Sequence, residues 1–141
     1  AAGAAAARDF QALWADHVEQ LVAYGAAAAA RDDVRRERAR TALRDFEQRM
    51  AAFLNGATAG RMRTGDLAAA LLMHDQMLVR HADAFAGRDY ATAHDIAYRT
   101  YEHMFDLARQ LADAFGATVA ARLPVGGAQT GLGGLADEVG H

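Results

Sequence analysis

Leu71-Leu72-Met73-His74-Asp75-Gln76-Met77-Leu78-Val79-Arg80-His81 is an apolar helical stretch that carries histidine where leucine would ordinarily sit. Read outward, Leu67, Leu71, His74, Leu78, His81 and Phe85 recur at alternating steps of four and three residues, which puts all six on one helical face. Such a face belongs against a core. An imidazole buried without a partner costs a few kcal/mol, so histidines repeated on this seam require a chemical reason.

The neighbouring segments read in the same way. Asp9 is a plausible cap for a first helix running to about Ala30, with Phe10, Trp14, His17, Leu21 and Tyr24 on one stripe. After the polar break Arg31-Asp32-Asp33, a second helix carries Ala39, Leu43, Phe46, Met50 and Phe53 and stops at Asn55-Gly56. Thr64 or Asp66 caps the third helix, which stops at Ala86-Gly87. Asp89 caps the fourth, whose stripe is Ile96, Thr100, His103, Leu107 and Leu111. Short connections between four amphipathic helices specify an all-α, up-down-up-down four-helix bundle over residues 1–123, with hairpins at about 9–55 and 66–123. Pro124 closes the last helix, and residues 124–141 form a glycine-rich tail or stalk with too little apolar content to fold alone.

Composition narrows the function classes. At 141 residues the chain is one domain. It has no cysteine, serine or lysine, which removes thiolate metal sites, covalent c-type haem and serine or thiol nucleophiles. No oxyanion-forming glycine motif is present either, so a catalytic assignment has little support. The net charge is −3, with arginines and acids mixed along the same faces, and no nucleic-acid footprint results. No apolar run approaches the ~20 residues of a transmembrane helix. The opening Ala1-Ala2-Gly3 resembles what remains after cleavage of a signal peptide, which points to an exported protein.

Laid on itself with an offset of 57 residues, the chain superimposes His17-Val18-Glu19-Gln20-Leu21-Val22 on His74-Asp75-Gln76-Met77-Leu78-Val79, and Arg31-Asp32 on Arg88-Asp89. The bundle thus reads as a duplicated helical hairpin. Antiparallel helices are level at equal distances from their connecting turn, at ~1.5 Å rise per residue. That rule places His17, Phe46, His74 and His103 in one layer. Tyr24, Ala39, His81 and Ile96 fall in the next layer on the side of the hairpin turns, and Trp14, Met50, Leu71 and Leu107 in the next on the other.

Three imidazoles from three helices cannot satisfy one another in a dry core, whereas one cation at ~2.0–2.1 Å from three nitrogens satisfies them all. His17, His74 and His103 are therefore the candidate metal ligands, with Met104, Met77 and His81 as additional ones. Thioethers beside imidazoles suit copper better than zinc. The layer holds no glutamate and no Glu-x-x-His pair, which disfavours di-iron chemistry. A b-type haem held axially by histidine, or by histidine and methionine, is the alternative. A structural or partner-binding surface module without metal is a third reading.

Leu13-Trp14-Ala15-Asp16-His17-Val18, a second histidine-bearing helix, Asp89-Tyr90 and Tyr101-Glu102-His103-Met104-Phe105 together resemble a set of exported bacterial four-helix proteins. In that set such histidine and methionine positions are associated with copper. The resemblance covers residues 10–115 and leaves His81 and His94 unmatched. It implies a protein that binds, buffers or delivers copper outside the cytoplasm, and a partner protein that exchanges the metal with it.

Overall fold

A computed structural model describes residues 2–123. Four helices follow in order: α1 Ala2–Ala30, α2 Asp33–Ala57, α3 Thr64–Ala86 and α4 Tyr90–Ala120. They form a bundle. The expected tail, Pro124 and His141 lie outside the described residues. No helix among those described is long and apolar enough to cross a membrane.

The two hairpin turns are built alike. Arg31 and Arg88 take left-handed backbone angles, with φ of 56° and 62°. Asp32 N donates to Ala27 O at 2.9 Å and Asp89 N to Ala84 O at 2.9 Å, closing each preceding helix with the same bond. The aspartate that ends each turn then caps the next helix, accepting from Arg35 N at 3.0 Å and from Thr92 N at 3.1 Å. Side-chain capping of this kind satisfies amide groups that a helix start otherwise leaves unpaired.

Helix boundaries differ from expectation in three places. α1 begins at Ala2 and not at Asp9, because Ala4, Ala5, Ala6 and Ala7 belong to the residue type of highest helix propensity. α2 continues past Asn55-Gly56 to Ala57, and the chain turns at Ala59 and Gly60, with φ of 52° and 76°. Thr64 is already helical; the residue before it is Arg63, which makes no side-chain cap and pairs with Asp66 at 2.8 Å.

α3 is the central element. It packs against α1, α2 and α4, whereas α4 leans chiefly on α3. Phe46, Met50, Ala51, Leu54, Leu67, Leu71 and Leu107 form the main core, with Leu13, Met104 and Leu111 half-buried at its edge. Thr118 Oγ1 donates to the carbonyls of Thr58 and Ala114 at 3.0 and 2.7 Å, tying the end of α4 to the α2–α3 loop. Of the layer expected below the histidines, Met50, Leu71 and Leu107 are buried. Trp14 is 45 % exposed and Leu13 takes the inward position, since α1 packs on α2 and α3 and its far side is left open.

Candidate metal centre

α1 and α3 each bring one histidine into the core, because each residue lies on the apolar stripe of its helix. His17 and His74 are 3 % and 7 % exposed. Their rings are 6.2 Å apart between centroids. Phe46 of α2 covers the other face of His17, stacked at 4.3 Å. On the far side of His74 the ring of His103 stacks at 6.2 Å. Phe46, His17, His74 and His103 thus stand in one row.

The row does not place all three histidines around one point. Nε2 of His103 lies 3.2 Å from the carbonyl oxygen of Ala70, and the ring is half-buried. The side chain that joins His17 and His74 is instead Asp75. His17, His74 and Asp75 each offer a ligand atom within 4.8 Å of the other two. Donors ~2.0–2.1 Å from one tetrahedral ion stand ~3.4 Å apart, so small side-chain rotations would close this group on a cation.

The three groups leave buried polar atoms unpaired. Nδ1 of His17, Nδ1 of His74 and both carboxyl oxygens of Asp75 are buried without a hydrogen-bond partner. Such orphaned atoms are uncommon and carry a desolvation cost. Burial pushes the pKa of His17 down, with Asp16 opposing. His74 is pushed down to about 4 by burial, then by the positive charge that His17 and His103 would carry. Asp75 moves the other way, up to about 8, through burial first and then the neighbouring Glu47 carboxyl. The contact of His17 Nε2 with Asp75 Oδ1, 3.7 Å long, is therefore not an ion pair at neutral pH: the imidazole is neutral and the carboxyl protonated.

Glu47 corrects the expectation that this layer holds no glutamate, and Asp75 adds a carboxyl group that the layer did not count. Both are buried, at 4 % and 2 % exposure, and the Glu47 carboxyl is near enough to raise the pKa of Asp75. Asp75 follows His74 directly, and neighbours on a helix point about 100° apart, so one apolar stripe would bury only one of them. Both are buried because α3 is covered on three sides. The sequence signal for Glu47 was its place beside Phe46, one residue off the stripe of α2.

The additional ligands suggested by sequence are less buried than His17 and His74. Met77 is half-buried, and Met104 packs against the apolar core. His81 is half-buried and stacks on Phe85 at 6.4 Å. In the layer of Tyr24 the polar partner is Asp83: the Tyr24 hydroxyl donates to Asp83 at 2.8 Å and accepts from Arg40 at 2.8 Å.

Comparison with protein families, curated proteins and solved structures finds no match to this chain.

Proposed function

We propose that this protein binds a divalent transition-metal ion, copper above all, in the core of the bundle through His17, His74 and Asp75. One observation carries the reading: two buried imidazoles and a buried carboxyl group each bring a donor atom within 4.8 Å of the other two, and each group has a buried polar atom that the protein leaves without a partner. A cation supplies the missing partner for all of them at once.

The donor set modifies the expected metal preference. A carboxylate oxygen is a harder ligand than a thioether, and two nitrogens with one oxygen favour cupric over cuprous copper, with zinc as competitor. Cu2+ stands at the top of the affinity order for such sites. His103 flanks the ion as a ring stacked on His74, and Met104 packs to one side of the row. The like geometry of the two hairpin turns supports the reading of the chain as a duplicated hairpin, in which His17 and His74 are equivalent positions. Binding buried in the core suits buffering or delivery of the ion, and the resemblance noted above favours a location outside the cytoplasm.

Titration of the metal-free chain with Cu2+, followed by electron paramagnetic resonance, tests the assignment. The first equivalent should show coupling to two imidazole nitrogens, reduced to one in His17→Ala and in His74→Ala. Spectra unchanged by both substitutions would place the copper elsewhere.

A further inference from the structure

α4 carries two apolar stripes, and the bundle uses one of them. Ala93, Thr100, Leu107 and Thr118 are buried, with α3 as the helix on which α4 chiefly leans. Roughly a third of a turn away around the same helix run Tyr98, Tyr101, Phe105, Ala108, Ala112 and Phe115, at steps of three and four residues. That is a heptad seam, the spacing by which one helix pairs with another. Tyr98, Tyr101 and Phe105 are 62, 70 and 61 % exposed, and Ala108 and Ala112 are exposed with them.

Such a seam is large for the surface of a monomer. An aromatic side chain buries ~150–250 Å², so three at these exposures leave roughly 400 Å² of apolar surface along two turns of helix. With the alanines and the aliphatic stems of Glu102 and Arg109 beside it, the stripe passes the ~500 Å² per partner at which specific interfaces begin.

The order of residues along the seam says what covers it. Two aromatics, Tyr101 and Phe105, come first and two alanines, Ala108 and Ala112, follow. Two copies of α4 laid antiparallel, with their twofold axis between Asp106 and Leu107, set Tyr101 against Ala112 of the second copy and Phe105 against its Ala108. Each ring then meets a hole of its own size, whereas parallel helices would set ring on ring and alanine on alanine. The charges agree. Glu102 and Arg109 stand on one flank of the seam, two turns apart, and antiparallel pairing brings Glu102 of each copy within about 3 Å in height of Arg109 of the other. Within one chain Arg109 pairs with Asp106 at 2.7 Å, an exposed contact that contributes little and leaves it free to turn.

We propose that a second copy of this chain covers the seam, in a twofold dimer held by antiparallel α4 helices. Tyr101 and Phe105 pack over Ala112 and Ala108 of the other copy, and Glu102 pairs with Arg109 across the flank. The interface uses none of His17, His74 and Asp75, so it forms in the metal-free chain.

Analytical ultracentrifugation of the metal-free full-length chain tests this at ~100 µM, well above a micromolar Kd. The natural chain should sediment at twice its 15.0 kDa. A mass of 15.0 kDa would overturn the proposal, whether residues 124–141 or another protein then covers the seam. Tyr101→Glu and Phe105→Glu, at exposed positions, should each raise the dimer Kd at least about tenfold with circular dichroism unchanged. A dimer that survives both uses another face, which would overturn the proposal as well. Ala112→Phe should weaken the dimer by crowding Tyr101 of the other copy; a tightened dimer would refute the antiparallel order, because two parallel helices would gain a ring at an empty position. Glu102→Arg and Arg109→Glu should each weaken the dimer and the double exchange restore it, and failure of that rescue would refute the pairing of their charges.

Discussion

Nε2 of His17 lies 3.7 Å from Oδ1 of Asp75, joining a histidine of α1 to an aspartate of α3 whose sequence neighbour is His74. The contact lies inside the bundle, with both side chains 3 % exposed, and neither group is satisfied by it. A bundle built for stability alone would place leucines here, because apolar replacements of buried polar pairs are often neutral or stabilising. What a leucine cannot do is bind a cation.

The ligand set can be dissected by substitution. His17→Ala, His74→Ala and Asp75→Asn should each raise the Kd for Cu2+ by at least about tenfold, or about 1.4 kcal/mol. His103→Ala should change it less than about threefold, since Nε2 of His103 is at the Ala70 carbonyl. His94→Ala, on the exposed side of α4, should leave it unchanged. Competition titrations decide the matter: equal losses for His103 and His74 with none for Asp75 would restore a three-histidine site.

Stability of the metal-free protein should fall between pH 6.5 and 8. His17 and His74 have folded pKa values depressed below 6.5, so their contribution is fully present above 6.5 and is lost as the pH falls below it, for His74 through about 4. Asp75 is raised from 3.8 to about 8, so its contribution is complete below 3.8 and is lost as the pH rises through about 8. Of these three, only the aspartate acts above the histidine range. Melting temperatures measured across that window should decline in the natural chain and flatten in Asp75→Asn. The increment in Tm from added copper should grow over the same window, because the ion binds the deprotonated carboxylate. A level profile in the natural chain would mean that Asp75 is ionised when folded.

Phe46 holds the outer end of the row. It is 1 % exposed and stacks on His17 at 4.3 Å. Phe46→Ala should destabilise the chain by about 3–5 kcal/mol in urea unfolding. It should also weaken copper binding, since the His17 ring loses the wall that fixes its rotamer. Phe46→Leu should recover most of the stability and little of the affinity. Full affinity in Phe46→Leu would mean that stacking has no part in orienting His17.

Tyr24 supplies a control remote from the ion. Its hydroxyl links α1 to Asp83 of α3 and to Arg36 and Arg40 of α2. Tyr24→Phe keeps the ring and should cost about 1–2 kcal/mol, because Arg36 and Asp83 still pair at 2.8 Å. Copper affinity should stay within about twofold. A large loss of affinity in this variant would show that the two polar layers are coupled.

Much of this architecture was legible in the chain itself. Apolar residues spaced by three and four, aspartates after short breaks and glycines near helix ends specified the four helices of the bundle, because these signals act within one or two turns of backbone. Level counting from the turns brought Phe46, His17, His74 and His103 into one row, because rise per residue is a local constant. Its limit is that it treats each helix as having one inward stripe. How wide that stripe is depends on how many neighbours a helix has, and only the tertiary structure decided it. α3 is packed on three sides, so Asp75 is buried beside His74, whereas α1 is covered on fewer, so Trp14 faces outward. Asp75 came to face His17 through packing between two helices, across 58 positions of sequence, a distance over which no periodicity carries information.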